Sequence, residues 1–375
     1  MTIVKAGFKV SAYNGGTMIS RLALHRTATA ITVMLLAMAV LWWSLWMIGA
    51  AQYRNFIDGW IAAHEPQGWH VTYDARDTEG FPRHIILHFT NFVLQNPDGV
   101  KIHAGEVALA TLPWQWRSLD AKLKHGFDLV IPFGEGKMLF IATSETARSH
   151  TELDQNGDWS FVNLQLENAK ALWGAKPFFS ADNFFFSLAR PETPPQNYKE
   201  AGIDFHMTVD AMTLPDSFSS PFGLNAEKID LALRVLGPVP DPRVKESVAT
   251  WNEAGGAVAF DKLDLKWGPL VLAAKGTLAL DDDLQPEGAF SSQIGNHGKV
   301  MKALIDADYI PKHEELMLGS ALDLFAKHVD ISGTPGIEVP IAVQLGGLFL
   351  GPVKVFEYPE IIWGAATPAA PAGQP

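Results

Sequence analysis

The sequence predicts a mainly β protein with some α-helix, in which an N-terminal transmembrane helix precedes a curved antiparallel β-sheet body with packed helices. Three observations support this fold class: one long uncharged run near the N-terminus, alternation of apolar and polar residues in many short segments, and turn-forming residues between them. The alternation also allows a body of two similar halves, residues 67–190 and 199–360, joined by a linker or long loop at residues 191–198.

The uncharged run covers residues 28–51. As a helix, its 24 residues rise about 36 Å, more than the roughly 30 Å thickness of a hydrocarbon core. Its second half is rich in tryptophan, and indole side chains favour the membrane–water interface. We therefore predict a transmembrane anchor, marked by the apolar and aromatic residues Leu36, Trp42, Trp43 and Trp46.

The charges that flank this run predict its orientation. Residues 1–27 contain four basic residues and no acidic one, whereas the segment after the run mixes both signs. Because basic residues favour the cytoplasmic side of a membrane, we expect residues 1–27 to form a cytoplasmic arm and the body to lie on the far side. Either Met1 or Met18 can be the start of translation.

A cleaved signal peptide is the alternative to an anchor. The small residues Gly49, Ala50 and Ala51 resemble a cleavage site. However, the apolar region of a signal peptide is typically only about 7 to 15 residues long. The length of the run therefore favours an anchor that is retained.

The body is acidic and free of cysteine. After residue 51 the chain carries 25 basic and 41 acidic residues, a net charge of −16. This charge argues against binding to nucleic acid and against docking onto anionic lipid headgroups. With no cysteine in the chain, disulfides and thiolate catalysis are excluded.

Helical spacing continues past the anchor, and strand patterns follow it. Residues 52–66 place apolar side chains on one side of a helix, so we expect a helical stalk that ends at Pro66 and Gly68. Alternation then predicts strands within residues 69–73, 84–95, 100–112, 148–166, 203–209, 229–235, 257–267, 269–281, 287–294, 339–345 and 348–355. Strands with one apolar and one polar side favour an antiparallel sheet.

Four segments of the body show helical spacing. They are residues 167–173, 242–254, 299–307 and 314–327. The last residues, 361–375, are rich in alanine and proline and predict a disordered tail. The helices are expected to pack on the sheet.

The chain resembles a bacterial envelope family, the domain of unknown function 2125. In the first half the resemblance rests on Trp69–Tyr73, on Gly80-Phe81-Pro82 and on the turn at Pro97–Gly99. In the second half it rests on Gly276–Asp281 and on Leu284-Gln285-Pro286-Glu287-Gly288. The family pattern has Trp before Pro where this chain has Leu112. The resemblance would cover roughly residues 60–352 and implies an inner-membrane anchor and a β-rich periplasmic body, with no established activity and no catalytic residues.

Motifs for chemistry are weak. Asp154, Asn156 and Asp158 have the spacing that opens a calcium loop, but Trp159 stands where that loop requires glycine. His84 and His88 lack a third ligand at a recognisable spacing. No nucleophile elbow, dinucleotide fingerprint or phosphate loop is present in the sequence. We therefore predict no catalytic residue, no metal site, no cofactor and a protein that is not an enzyme.

Aromatic side chains are concentrated between residues 159 and 186. The simplest interpretation is a packed core between a sheet and its helices. The alternative is a groove for an acyl chain or another apolar ligand, lined by Trp159, Phe179, Phe184 and Phe186. Because consecutive phenylalanines in a strand point to both sides of the sheet, each side needs cover from protein or lipid.

Three functions remain open at this point. We favour a non-enzymatic protein of the bacterial inner membrane that binds a lipid or another apolar ligand, or that scaffolds envelope assembly, with the membrane and an envelope protein as partners. A structural protein-binding module of the envelope is the alternative. A hydrolase is the third hypothesis, because catalytic groups need not be close in sequence.

Overall fold

The computed structural model describes residues 16–97, 99–124, 126–133, 136–173, 176–241, 244–314, 327–331, 333–351 and 353–363. Three α-helices lie within these ranges: α1 Gly16–His64, α2 Lys245–Glu253 and α3 His297–Asp306. The strands of the first part are β1 His70–Thr72, β2 Ala75–Glu79, β3 Ile85–Gln95, β4 Lys101–Thr111, β5 Ser118–Lys124, β6 Phe127–Phe133, β7 Gly136–Thr143, β8 Thr146–Leu153, β9 Trp159–Trp173 and β10 Lys176–Ala189. Those of the second part are β11 Ala201–Thr213, β12 Asn225–Leu236, β13 Val258–Trp267, β14 Leu270–Leu280, β15 Pro286–Gly295, β16 Lys327–Ile331, β17 Thr334–Gln344, β18 Gly347–Leu350 and β19 Val353–Glu357.

The described strands form one antiparallel sheet that does not close into a barrel. Most strands pair with the strand that precedes or follows them in the chain, from β8 through β15 without interruption. Some positions in the sheet are shared by two short strands, such as β1 and β2 beside β3, or β16 and β18 beside β17. The predicted mainly β, antiparallel fold class is therefore confirmed.

Helix α1 is longer than the uncharged run that predicted it. It begins at Gly16 and passes Ala51 without a break. After His64, a 3-10 turn that contains Pro66 leads to Gly68, whose φ of 90° reverses the chain toward β1. The predicted helical continuation and its end at Pro66 and Gly68 are confirmed.

The second half of α1 packs on the sheet and forms the first core. Trp46, Ala50 and Tyr53 are buried, and they recur on one side of the helix because three or four residues complete a turn. They contact the buried strand residues Ile85, Leu87, Phe89, Ala104 and Val107. On the flank of this core, Nη2 of Arg76 donates a hydrogen bond to Oδ2 of Asp58 at 3.1 Å.

Helix α3 forms a second core at the other end of the chain. Its residue Val300 is buried against β14, β15 and β17. The buried members of this cluster are Leu270, Ile294, Val300, Ile337 and Val339. Helices α2 and α3 confirm the helical predictions for residues 242–254 and 299–307 within about three residues.

The predicted helix at residues 167–173 is wrong, because β9 continues through Trp173. Asn168 has a left-handed backbone with φ of 52°, which interrupts the strict alternation of the strand. Ala169 and Ala171 consequently stay on the buried side, and the step of three residues from Leu166 to Ala169 resembles helical spacing. The pairing with β10 extends on both sides of this irregularity.

Several predictions concern residues beyond the main elements. Residues 315–326 of the fourth helical candidate and residues 364–375 of the alanine-rich tail lie outside the described residues. The segment 191–198 joins β10 to β11 without strand or helix. The division of the body into two halves stays a prediction.

Candidate ligand-binding face

One side of the sheet carries apolar side chains in register from β3 to β17. Paired strands place facing residues on the same side of a sheet, so a row can be followed from strand to strand. This row consists of Phe89, Val107, Leu123, Ala147, Leu166, Phe184, Val209, Ile229, Leu265, Leu272, Ile294 and Ile337. We call the side that carries this row the apolar face.

Both ends of the apolar face are covered by helices. Phe89 lies under α1 and is 1% exposed, and Ile337 lies under α3 and is also 1% exposed. The two helices therefore cover the same side of the sheet. Neither of these two helices covers the middle of the apolar face.

The middle of the apolar face is less completely buried: Leu166 and Val209 are 5% and 4% exposed, but most of their neighbours are half-buried. A second row on the same side contains Leu164, Phe186, Met207, Leu231 and Leu263, all of intermediate exposure. The buried cluster in this region is built from strand residues, and no helix in the described part of the chain contributes to it. We call this part, from β9 to Leu263 of β13, the open section.

Three of the predicted groove residues meet within the open section, on β10. The ring centroids of Phe179 and Phe184 are 6.5 Å apart, and those of Phe184 and Phe186 are 6.2 Å apart. Trp159 is not part of this group, because it lies at the start of β9 with the guanidinium of Arg190 3.7 Å from its ring centroid. The structure therefore brings together the three phenylalanines and places the tryptophan elsewhere.

The opposite side of the sheet is polar. Phe185 points to this side, 5.8 Å from the ring of His206. Next to it, the buried carboxylate of Asp230 accepts a hydrogen bond from Nζ of Lys262 at 2.6 Å, and Nε2 of His206 lies 3.1 Å away. Burial opposes ionisation of Asp230, but these two partners outweigh it and lower its pKa. The two sides of the sheet thus differ sharply in polarity.

The candidate metal ligands have other partners. Nε2 of His88 lies 2.6 Å from Oε1 of Glu79, and Nδ1 lies 3.6 Å from Oε1 of Glu106. In the turn between β8 and β9, Oδ1 of Asp154 accepts hydrogen bonds from the backbone N–H groups of Asn156 and Asp158. Within the described ranges, no group of three or more histidine or acidic side chains is arranged to hold a metal ion.

A depression of about 810 Å³ lies on the polar side, over β13 to β15 and β17. Its border includes Arg234, whose guanidinium makes two hydrogen bonds of 2.6 Å with Asp261. Lys327 and Glu338 also line it, 3.9 Å apart. These two ion pairs compensate four of its charged groups, and Lys275 also lines it. The depression carries no argument for a ligand.

The predicted anchor residues divide into two environments. Leu36 is 61% exposed and Trp43 is 53% exposed, whereas Trp46 is only 7% exposed. Nε1 of Trp42 donates a hydrogen bond to the carbonyl oxygen of Pro82 at 3.0 Å. Helix α1 is, among the described helices, the one long and apolar enough to cross a membrane. Its last turns within the uncharged run already belong to the body.

Sequence reasoning missed this docking of α1. The relevant signal was the stripe of Trp46, Ala50, Tyr53 and Ile57, which recurs every three or four residues across the predicted boundary at residue 51. A lipid-facing helix needs no such stripe, since all its sides are apolar. The stripe therefore indicates a protein partner for one side of the helix.

Taken together, the fold and this face define a protein with an N-terminal apolar helix and an open antiparallel sheet, one side of which carries a continuous row of apolar side chains. The chain belongs to the family described as uncharacterised proteins conserved in bacteria, DUF2125, whose model matches residues 46–359. The match confirms the family resemblance and begins at Trp46, inside α1. No curated protein and no solved structure matches the chain.

Two segments that carried the resemblance hold distant parts of the chain. The turn at Gly80-Phe81-Pro82 contacts α1 through the carbonyl oxygen of Pro82. In the second half, the carbonyl oxygen of Leu284 accepts a hydrogen bond from Nε1 of Trp363 at 2.7 Å. Gln285 and Ile361 exchange two further hydrogen bonds, of 2.8 and 3.1 Å. These motifs therefore have structural explanations and require no catalytic one.

Proposed function

We propose that this protein is a non-enzymatic component of the bacterial inner membrane that binds an acyl chain or another apolar ligand on the open section. The observation that carries the proposal is the continuous apolar row, which is covered by α1 at one end and by α3 at the other, whereas the section between them has several half-buried side chains and no helix residue in its buried cluster. A ligand in the middle would complete a layer that the two helices begin.

The energy available from such binding is substantial. Removing apolar surface from water contributes about 25 cal/mol per Å², so each 100 Å² of apolar surface that a ligand covers contributes about 2.5 kcal/mol. Part of this energy is offset by the lost freedom of the ligand. An acyl chain suits the site because it is long, flexible and without polar atoms along its length. The site is lined by aliphatic and phenylalanine side chains, as apolar ligand sites commonly are.

Attachment to the membrane brings the open section close to a source of lipid. The exposed stretch of α1 at residues 29–43, the basic residues before that stretch and the acidic body after it support a single-pass anchor with a cytoplasmic N-terminus and a periplasmic body. Membership of a bacterial family is consistent with this location. In this arrangement a ligand need not cross much water to reach the sheet.

A protein partner is the second candidate, and the open edges of the sheet support it. In the described part of the chain, β2 pairs only with β3, and β19 pairs only with β18. An unpaired edge can accept a strand from another protein. This partner would scaffold envelope assembly without a lipid.

Native mass spectrometry of the full chain, purified from membranes in mild detergent, tests the ligand proposal. We expect the wild-type protein to carry bound lipid masses. Met207→Glu, which places a charge on the apolar face, should remove them, whereas Thr208→Glu on the polar side of the same strand should retain them. Circular dichroism of both variants must first show an intact sheet.

The opposite result would favour the second candidate. If the wild-type protein carries no lipid, or if both variants carry it equally, the open section does not bind the ligand. Crosslinking of an envelope protein to β2 or β19 that persists after delipidation would then assign the protein-binding role.

A further inference from the structure

Two loops of the body meet α1 where its exposed apolar stretch ends. One is the turn between β2 and β3, residues 80–84, and the other joins β4 to β5, residues 112–117. Both lie at the same end of the strands, since Ile85 at the start of β3 pairs with Thr111 at the end of β4. We call these two loops, together with Trp42 and Trp46 of α1, the collar.

Aromatic contacts hold the two loops of the collar to α1. The ring centroids of Trp42 and Trp114 are 6.4 Å apart, and those of Trp46 and Phe81 are 5.7 Å apart in an edge-on arrangement. The hydrogen bond from Trp42 to Pro82 adds a polar link. The height of the loops along α1 is consequently determined by the protein itself.

The outer surface of the collar is aromatic and basic. Phe81, Trp114 and Trp116 are 49%, 58% and 45% exposed. Arg83 and Arg117 are exposed beside them, and the guanidinium of Arg117 lies 5.2 Å from the ring centroid of Trp116. Tryptophan with arginine is the composition that favours the membrane interface, where the ring meets the acyl boundary and the guanidinium meets phosphate.

The length of the helix places the collar at that interface. Thr27 is the first residue after the basic Arg26, and from Thr27 to Trp46 the helix contains 20 residues. They rise about 30 Å, which equals the thickness of a hydrocarbon core. If Arg26 lies at the cytoplasmic surface, Trp46 and the loops bound to it lie at the opposite surface.

We propose that the collar seats the body on the lipid bilayer, with Phe81 and Trp114 in the headgroup region and Arg83 and Arg117 beside lipid phosphates. This inference rests on the proposed membrane anchor. It places the boundary of the membrane near Trp46, about one and a half turns before the end of the uncharged run. The net charge of −16 in the body opposes contact with anionic lipid, and the two arginines are a local exception to it.

The absence of cysteine allows a direct test with single labels. Trp114→Cys, Phe81→Cys, Phe218→Cys and Met38→Cys are introduced separately into the full chain, labelled with an environment-sensitive fluorophore, and reconstituted into vesicles of phosphatidylethanolamine and phosphatidylglycerol. Phe218 is the matched control, because it is a 45% exposed aromatic residue at the opposite end of the strands. Quenching is measured with aqueous iodide and with lipids that carry a nitroxide at the headgroup.

We expect labels at positions 81 and 114 to be quenched several-fold more by the nitroxide lipid than by iodide, and the label at 218 to show the reverse. Iodide quenching at 114 equal to that at 218 would overturn the collar. If the label at Met38 is then still shielded from iodide, the anchor stands without the collar. If position 38 is also open to iodide, both are overturned. Neither result depends on whether the open section binds a ligand.

Discussion

Nε1 of Trp46 donates a hydrogen bond to the carbonyl oxygen of His84 at 2.8 Å, and this bond connects the N-terminal helix to the turn that precedes the first long strand. Trp46 is 7% exposed whereas His84 is exposed, so the bond lies at the edge of the first core. A residue of the apolar run thereby becomes part of the body. The run consequently has two environments: residues 29–43 are exposed, whereas Trp46 and Ala50 are buried against the body.

Substitution of Trp46 separates packing from hydrogen bonding. Trp46→Ala should lower the free energy of unfolding by about 3–5 kcal/mol, because it opens a cavity in the first core. Trp46→Phe should cost less, about 1–3 kcal/mol, since it retains most of the ring but leaves the carbonyl oxygen of His84 without this donor. Urea unfolding of the full chain in detergent measures both. Equal losses for the two variants would show that the hydrogen bond dominates.

Tyr53 offers a stabilising substitution. Its side chain is 2% exposed, and within the described residues its hydroxyl has no hydrogen-bond partner. A buried unsatisfied hydroxyl costs about 1–3 kcal/mol. Tyr53→Phe should therefore raise the midpoint of urea unfolding while preserving the packing of the ring. A loss of stability would indicate that the hydroxyl binds a water or another group in solution.

The partners of Asp230 predict that the free energy of unfolding falls at acidic pH. Because its folded pKa is lowered from 3.8, Asp230 contributes stability that is complete above this value and is lost as pH falls toward the folded pKa. The free energy of unfolding should decrease less between pH 5 and about pH 2.5 in Asp230→Asn than in the wild type. The neighbouring Asp264→Asn serves as a control, since Asp264 is more exposed and lies 3.5 Å from Lys262. Identical acid profiles of the wild type and Asp230→Asn would contradict the prediction.

His150 predicts the opposite pH dependence, a contribution to the free energy of unfolding that is lost as pH rises. Burial disfavours its charged form, but Asp120 at 2.7 Å and Glu152 at 3.5 Å outweigh this and raise its pKa above 6.5. Its contribution is complete below pH 6.5 and is lost as pH rises through the folded pKa. His150→Gln should therefore lose more stability relative to the wild type at pH 5.5 than at pH 8.5. The ring proton shifts of His150 in an NMR titration would report the raised pKa directly.

Substitution of alanine at two glycines should change the stability of the protein in opposite directions. Gly80 has φ of 102°, and a Cβ there would lie 2.6 Å from the carbonyl oxygen of His84, so Gly80→Ala should cost about 1–3 kcal/mol. Gly59 lies exposed within α1 with open space around it, so Gly59→Ala should add about 0.5–1 kcal/mol. Thermal unfolding of the two variants in parallel measures the difference. Destabilisation by Gly59→Ala would indicate a partner on that side of the helix.

The strands were predictable because alternation is a local signal. Ile203, Phe205, Met207 and Val209 alternate with polar residues, and β11 contains all of them. This pattern can be interpreted without knowing the partner strand, since it indicates only that one side of the strand is buried. The helix predicted at residues 167–173 was wrong because the left-handed backbone of Asn168 shifts the alternation, and no local signal distinguishes that shift from helical spacing.

The candidate site was predictable only in part. The clustered phenylalanines of β10 identified the strand, and Phe179, Phe184 and Phe186 do lie together on it. The extent of the apolar face was not predictable, because it depends on the register of strands that are distant in sequence. Trp159 lies elsewhere because it begins β9, whereas Trp173 ends that strand. The guanidinium of Arg190 lies close to the ring of Trp159.

The sequence by itself determined the apolar helix, the antiparallel β body and the family, because each of these depends on patterns within short segments of chain. Only the tertiary structure decided that α1 and α3 cover the same side of the sheet and leave side chains of the section between them half-buried. It also decided that Trp46 packs on Ile85 and Leu87 in the body. Burial is a relation between distant residues, and a run of apolar residues alone does not specify whether lipid or protein surrounds it.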